Sequence, residues 1–567
     1  MKFIFFYFST VKKLGYFNVL SVLVYRIFIK SFIAKLVFPQ KNGKTFTGSF
    51  FQDSNKNRIS ILNDSVIIQH ADSILDGNIL YYSYHLLNVG QIPNWFRNPF
   101  NEESYKGADQ HWTKLNDFDS KIGDIKNVWE LSRFNWLGTL VIAYKITQNS
   151  TYLEKMNQWV QDWSEKNPKN TGPNWKCGQE ASIRAINILI ANEIVGSGQL
   201  NDLNDLLGIH LDRIGPTTFY AKAQDNNHGL SEGIALYLLG HFLWEKTNKH
   251  KYLTLHKKGL RLIENRVDKL IMDDGTFSQY SIVYHRMVLD LLSLLELFRQ
   301  RWGIECFSEN FYKKCNLAIE WFSEMIDLGT GNAPNMGAND GTYLFNYDQK
   351  DYRDFRPSLV LASSIFNLPI DESIQVNHCL HTTFSLQSTF AKKGKKTSKQ
   401  YLEGGFTKLE RDRGKAIIRL PKYKFRPPHS DALHIDIWQD GVNWVRASGS
   451  FSYALSTNEQ ASFSGTKGHS TVRFDGKDQM PKISRFLFSN WLKPSDVQFD
   501  KKNNTISAGY IDQNGNSHFR KVKEIEKGWE IVDDIKGDFQ IAELQWILKP
   551  GKWSVENKSA SNRIISI

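Results

Sequence analysis

The run Asp225-Asn226-Asn227-His228-Gly229-Leu230-Ser231-Glu232-Gly233 leads directly into Ile234-Ala235-Leu236-Tyr237-Leu238-Leu239. The second part reads as a helix buried in a core, and the first as its polar entry. Polar groups packed against such a segment must find partners or take part in chemistry, since an unsatisfied one costs roughly 1–3 kcal/mol in proteins. A second polar cluster, Tyr284-His285-Arg286, lies in a similar apolar context downstream. Together they predict a site shared by two helices.

Around this run, over residues 73–366, apolar residues recur at three- and four-residue spacing, as in 136–145, 180–194, 231–246 and 284–299. Turn residues separate these segments, at Asn167-Pro168-Lys169-Asn170, Thr171-Gly172-Pro173 and 329–335. No short fixed repeat is present, but paired helices of similar length recur, which suits an α/α toroid better than a small bundle. After about Asn377 the period changes. Runs such as Gly414-Lys415-Ala416-Ile417-Ile418-Arg419-Leu420, His434-Ile435-Asp436-Ile437-Trp438 and Ser470-Thr471-Val472-Arg473-Phe474 alternate with turns at Gln439-Asp440-Gly441, Asp475-Gly476 and Gln513-Asn514-Gly515-Asn516. They predict stacked antiparallel sheets. A chain of 567 residues is long enough for at least two domains. The expected division is a basic, aromatic N-terminal segment over 1–72, a helical domain over 73–376 and a β domain over 377–567.

Hydrophobic content of 41% and charged content of 23% describe a globular chain, and the aromatic share of 13% is high enough to supply rings that lie against sugars as well as a core. The net charge of +12 permits nucleic acid, acidic lipid or a polyanionic glycan as partner. No helix-turn-helix, zinc-finger or aromatic RNA-binding signature accompanies it, so nucleic acid is not expected. Cys177, Cys306, Cys315 and Cys379 lack metal-type spacing and read as reduced thiols. At the N-terminus Lys12-Lys13 interrupt an apolar run too early for a secretion signal, and Arg26, Lys30 and Lys35 argue against a spanning helix over 16–38. An amphipathic basic segment is expected there, resting on a membrane surface or on its own domain.

The two polar clusters suit cleavage of a uronic-acid polymer by β-elimination. A base removes the C5 proton, donors neutralise the C6 carboxylate, and an acid protonates the departing O4. Asn227 and His228 are suitable donors, Arg286 or Arg133 adds positive charge, and Tyr284 offers a hydroxyl for proton transfer. The same residues also have structural readings. Asn227 can cap the following helix, His228 can be a core histidine oriented by Glu232 one turn on, and Tyr284 and His285 can pack on the face of Val288 and Leu292.

Asn227-His228-Gly229-Leu230-Ser231-Glu232, with Asp274-Gly275-Thr276-Phe277 and Tyr284-His285-Arg286, resembles the heparinase II/III-like polysaccharide lyases. Further fragments carry the resemblance: Trp129-Glu130-Leu131-Ser132-Arg133-Phe134, Asn174-Trp175 with Glu180 and Arg184, Asn339-Asp340-Gly341, His429-Ser430-Asp431-Ala432-Leu433 and Gly468-His469-Ser470-Thr471-Val472. It implies an incomplete (α/α) toroid followed by an antiparallel β-sandwich, with the site in the cleft between them. Asn227 and His228 would neutralise the carboxylate, Tyr284 would transfer the proton and Glu232 would support His228. His285, Arg286, Arg133 and Trp129 would contact an acidic glycan. No cofactor is required for the reaction, but the family often holds a structural metal, and His429 and His469 match its histidine ligands for a possible zinc. Ala447 stands where the family's aspartate ligand belongs. Pro427 stands where some members carry a further catalytic histidine, so Tyr284 makes both transfers or His285, His434 or Tyr453 substitutes. The family also suggests work on surface polysaccharide in a bacterial envelope. Two rival readings remain. One is a non-catalytic glycan-binding protein on the same scaffold. The other is a glycoside hydrolase drawing two carboxylates from Glu130, Glu180, Glu232 and Asp340.

Overall fold

In the computed structural model each inner helix of the helical half is buried on nearly every side, and this decides the layering. The structure describes residues 10–40, 46–54, 57–59, 64–116, 118–119, 121–198, 200–392, 394, 396–450, 457–552, 556–557 and 565–566. Its helices are α1 (Tyr16–Lys30), α2 (Phe32–Val37), α3 (Asp64–Leu75), α4 (Lys126–Ser132), α5 (Asn135–Thr147), α6 (Ser150–Lys166), α7 (Gly178–Val195), α8 (Asn201–Ile214), α9 (Thr218–Ala223), α10 (His228–Thr247), α11 (His250–Leu270), α12 (Ile282–Arg301), α13 (Glu309–Met325) and α14 (Arg356–Ile365). Helices α5, α7, α10 and α12 are buried around almost their whole circumference. Helices α6, α8 and α11 come between them in sequence and α13 follows α12, each with one buried face and one wet face. Inner helices pack on one another in chain order, and outer helices close over them. That is the two-layered toroid the periodicity predicts, and the four sequence segments fall on the four inner helices.

The closest packing joins α10 to α11. A Cβ on Gly259 would lie 2.5 Å from the Tyr237 backbone nitrogen, and one on Gly240 would lie 2.7 Å from that of His256. Glycine at these positions lets the two backbones touch, which holds the α10 N-terminus against its neighbours.

Helix α3 spans the expected 72/73 boundary and packs on α5. A further short helix, Cys379–Thr383, follows the expected 376/377 boundary. Strands β1 (Lys399–Tyr401), β2 (Phe406–Arg411), β3 (Gly414–Arg419), β4 (Ile435–Gln439) and β5 (Val442–Val445) then form an antiparallel meander in sequential order. A second meander runs through β6 (Ser495–Asp500), β7 (Thr505–Ile511), β8 (Ser517–Ile525) and β9 (Gly528–Lys536).

The two halves share one apolar core and are joined by buried polar bonds. The Tyr280 hydroxyl accepts from the Lys424 and Phe425 backbone N–H groups at 2.8 and 2.9 Å. Lys408, fully buried, pairs with Glu324 at 2.6 Å. A buried charge pair costs several kcal/mol if one partner is lost, so these bonds fix the relative placement of the halves and of any site between them.

Candidate active site

The turn before α10 is anchored by Asp225, whose backbone lies in the left-handed region at φ 48. Its carboxylate accepts from Arg266 and Lys269 at 2.8 Å and from Asn18 at 2.6 Å. The Asn227 N–H donates to Gln279 Oε1 at 3.0 Å, and Asn226 Oδ1 accepts from the His228 N–H at 3.1 Å. Asn226 therefore does the local turn bonding, and the Asn227 side chain makes no capping bond. Its buried amide instead donates to Gln179 Oε1 at 2.9 Å and lies 3.1 Å from the Met287 sulfur. A half-turn of that amide would present its NH2 on the opposite side.

His228 is half-buried, and neither ring nitrogen bonds to a described protein group. Burial lowers its pKa to about 4; Glu180 and Asp340 oppose the shift, while Arg426 and Arg133 add to it. The imidazole is thus neutral at pH 7 and within the field of four charged groups. Asp340 sits on a loop after α13 and accepts from the Tyr284 hydroxyl at 2.9 Å and from Lys126 at 2.6 Å. Burial alone would raise its pKa, but Lys126 and Arg133 outweigh that and hold the carboxyl well below the usual range. The Tyr284 hydroxyl is thus aimed as a donor at the ionised Asp340 carboxylate.

Ser281 sets the position of Tyr284. Its hydroxyl caps α12 by accepting from the Tyr284 N–H at 3.2 Å and donates to the Ala338 carbonyl at 2.5 Å. Cap and Asp340 loop are thereby held together. The same loop reaches the β half, where the Asn339 N–H donates to Ser450 Oγ at 3.1 Å.

Not all the expected residues meet here. Arg286 is fully buried, donates to the Tyr352 and Thr342 carbonyls at 2.7 and 3.1 Å, and lies over Tyr343, Tyr352 and Phe355. His285 stacks on Trp321 and Phe322 and bonds the Ala318 carbonyl at 2.9 Å. Both are core residues rather than glycan contacts, because their helix turns them away from the Tyr284 face. Arg133 is also buried: it grips Glu180 at 2.6 and 2.8 Å and Glu130 at 2.8 Å, so it acts through the field rather than by direct contact. Glu232 makes no bond to His228. It is cradled against Gly178, has an unpartnered Oε2, and burial raises its pKa to about 8, partly offset by Arg213 and Lys258. Trp129 is partly exposed and donates to the Pro173 carbonyl at 2.8 Å, leaving ring surface outward. Of the proposed stand-ins for Pro427, His434 bonds the Ser470 N–H at 2.9 Å within the β core, and Tyr453 lies outside the described residues.

The sequence does not single out Lys126, Gln179 or Arg426, and gives Asp340 a catalytic role only as a candidate hydrolase carboxylate, beside its place in the Asn339-Asp340-Gly341 fragment. A cavity of about 510 Å3 lies beside the site, lined by Asn226 and Gln279 from the helical half and by Lys424, Arg426 and Trp491 from the β half. Arg426 directly precedes Pro427 and is half-buried, so the β-side wall carries a cation next to the position that lacks the expected histidine.

Behind that wall, His429, Asp431 and His469 bring three buried ligand atoms within 4.8 Å of one another. His469 Nδ1 donates to the Gly465 carbonyl at 2.7 Å, which leaves the lone pair of its Nε2 to accept from His429 Nδ1 at 3.1 Å. Burial lowers both histidine pKa values, that of His469 to about 4, so both rings are neutral, as metal ligation requires. A cavity of about 20 Å3 adjoins Asp431 and His469, room for one ion or water. The donor set fits a divalent metal with three protein ligands. Asp431 supplies the carboxylate that Ala447, on the same cavity wall, cannot.

Compared with known families, residues 50–340 match the heparinase II/III N-terminus and residues 393–567 match the heparinase II/III-like C-terminal region. Among solved structures, a crystal structure of heparinase III aligns with a TM-score of 0.61 at 15% identity, over 97% of this chain and 81% of that one. A second heparinase III gene product aligns at 0.56 and 18% identity, over 92% and 76%. The heparan sulfate lyase HepC from Pedobacter heparinus aligns at 0.50 and 18% identity, over 94% and 75%. Likeness at these identities shows the fold. No curated protein sequence matches the chain.

Proposed function

Because the chain belongs to the heparinase II/III-like family, we propose that it is a polysaccharide lyase cleaving a uronate-containing acidic glycan by β-elimination. The observation that carries the reading is the Lys126–Asp340–Tyr284 chain, placed within electrostatic reach of a neutral, unbonded His228. Tyr284 is the acid: its proton passes to the departing O4, and the nearby Lys126 ammonium offsets the phenolate charge. His228 accepts the C5 proton, and the C5–H electron pair becomes the C4–C5 double bond as the C4–O4 bond breaks. The substrate's own carboxylate, an added negative charge near the ring, raises the proton affinity of His228 when it is needed. Asn227 and Arg426 neutralise that carboxylate as charge delocalises onto it. Proton exchange with water restores both groups.

The carboxylates speak against hydrolysis. Glu130 and Glu180 are committed to Arg133, Asp340 to Lys126, and Glu232 is buried elsewhere. A hydrolase needs two carboxyl groups facing the bond, one of them free to activate water.

The test is incubation with a panel of uronate-containing glycans, following ultraviolet absorbance of the unsaturated product beside a reducing-end assay. Both signals rising together are expected. Reducing ends without absorbance would mean hydrolysis, and neither signal, with binding retained, would mean a glycan-binding protein.

A further inference from the structure

Helix α1 presents an inner and an outer face. The inner one, through Asn18, Ser21, Tyr25 and Phe28, packs on the toroid. Tyr25 stacks on Tyr220 with centroids 3.8 Å apart and planes at 8°, and Asn18 bonds Asp225. Phe28 and Phe38 continue the contact to Trp112. The outer face repeats at the same helical spacing but is exposed. Phe17 and Ile27 are 70% exposed and Leu20 is 58% exposed; on α2, Phe32 is 71% and Leu36 64% exposed. Scattered exposed apolar residues are ordinary, but a contiguous stripe of this kind marks an interaction surface.

The charge around the stripe says what it meets. Residues 1–52 contain eight Lys and Arg and no Asp or Glu, the first acid being Asp53. Lys12, Arg26, Lys30 and Lys35 are all exposed. Covering the stripe with a second copy of the chain would bring two such cationic segments together with no acid in either. An apolar face flanked only by cations is complementary to a surface with an apolar interior and anionic groups at its rim. Helix α1, about 22 Å long at 1.5 Å per residue, carries Arg26 and Lys30, and no helix among the described residues is long and apolar enough to cross a membrane.

We propose that α1 and α2 dock the protein on an anionic lipid bilayer, with Phe17, Leu20, Ile27, Phe32 and Leu36 in the interfacial layer and Lys12, Arg26, Lys30 and Lys35 against the lipid phosphates. Tyr16 and Phe17 belong both to this surface and to the wall of the basic cavity beside the site. Docking therefore sets the rim of that cavity at the membrane. The inference stands apart from the lyase reading, since neither its observations nor its test involve catalysis.

The experiment is co-sedimentation of the full chain with vesicles of phosphatidylcholine alone or mixed with phosphatidylglycerol. The protein is expected to pellet with the mixed vesicles and much less with the neutral ones. Phe17→Ser with Ile27→Ser should abolish pelleting. Arg26→Gln with Lys30→Gln should weaken it by about 30-fold, at about fivefold per charge. Circular dichroism and melting temperature should stay unchanged in both variants, because these side chains are exposed. Wild-type protein left in the supernatant with both vesicle types would overturn the proposal, as would variants that pellet like wild type. So would a dimer in sedimentation velocity that the serine variant dissolves while vesicle binding is unaffected.

Discussion

Tyr284→Phe separates the proposed acid from every other part of the site. The substitution removes one oxygen, which donates to Asp340 at 2.9 Å. Asp340 keeps Lys126 at 2.6 Å and the Thr342 N–H at 3.1 Å, so the lost bond costs about 1–2 kcal/mol of stability, at the low end for a charged acceptor. Positioned proton transfer contributes about 10²–10⁴ in rate, so kcat should fall by that factor while KM moves by no more than a few-fold. The role of the proton is then read with a second substrate, a uronate whose O4 substituent is a nitrophenyl group. Nitrophenolate departs without protonation, so the mutant should come within about tenfold of wild type on it. Initial rates of ultraviolet absorbance on both substrates decide the matter. An equal loss on the two substrates would make Tyr284 the base, and undiminished activity on the glycan would remove it from the chemistry.

Arg426→Ala should lower kcat/KM on charged glycan by about 10²-fold, with Arg426→Lys recovering part of it, if the guanidinium neutralises the carboxylate; a much smaller difference between wild type and the alanine variant on the methyl-esterified glycan, which keeps the C6 carbonyl but not its charge, is the control. Because burial holds His228 near a pKa of about 4, kcat/KM should stay flat from pH 7 down to about 5 and fall below that, whereas an acid limb at the ordinary histidine value would contradict the assignment. Glu232, raised to about 8, ionises in the unfolded chain before it does in the fold, so its effect on stability is absent below about pH 4.5 and grows unfavourable as pH rises towards 8. Chemical denaturation should show Glu232→Gln more stable than wild type by up to about 3 kcal/mol at pH 7, with the difference vanishing near pH 4. Zinc added to metal-stripped protein should raise its melting temperature, and His469→Ala or Asp431→Ala should erase the rise; an unchanged melt in the wild type would exclude a metal at this group.

The inner helices were legible because apolar residues recur in them at three- and four-residue spacing, and the β half because that period changes to two. Tyr284, His285 and Arg286 were not separable in the same way. Consecutive helical residues point about 100° apart, so only one of the three can face the site, and periodicity does not say which. His285 and Arg286 carry the same chemistry on paper and are core residues in space, held by Trp321 and Phe322 and by the Tyr352 carbonyl. Lys126 was invisible for a different reason. Its partner Asp340 is 214 residues away, and only the closure of the toroid brings them together. Glu232 misled because a carboxylate four residues after a histidine suggests a bonded pair, whereas the space around Gly178 draws it to the opposite neighbour.

Under the proposed mechanism the β-side wall draws its charges from residues other than those the family pattern places there. Pro427 and Ala447 lack the groups the family pattern places there, and from the sequence each reads as a loss. In the structure each has a substitute nearby. Arg426, one residue before Pro427, sends a positive charge towards His228. Asp431, two residues after His429, puts a carboxylate against the histidine pair that Ala447 leaves short. The two exchanges are not equivalent. A guanidinium cannot serve as a base at neutral pH, so Arg426 can replace a histidine in neutralising the carboxylate but not in moving a proton. In the proposed mechanism proton transfer therefore rests with His228 and Tyr284, and Arg426 binds charge. A variant restoring histidine at position 427 should then leave the rate of Tyr284→Phe unchanged on the glycan. Recovery in that double variant would show that the wall still offers the geometry for a proton and lacks only the side chain.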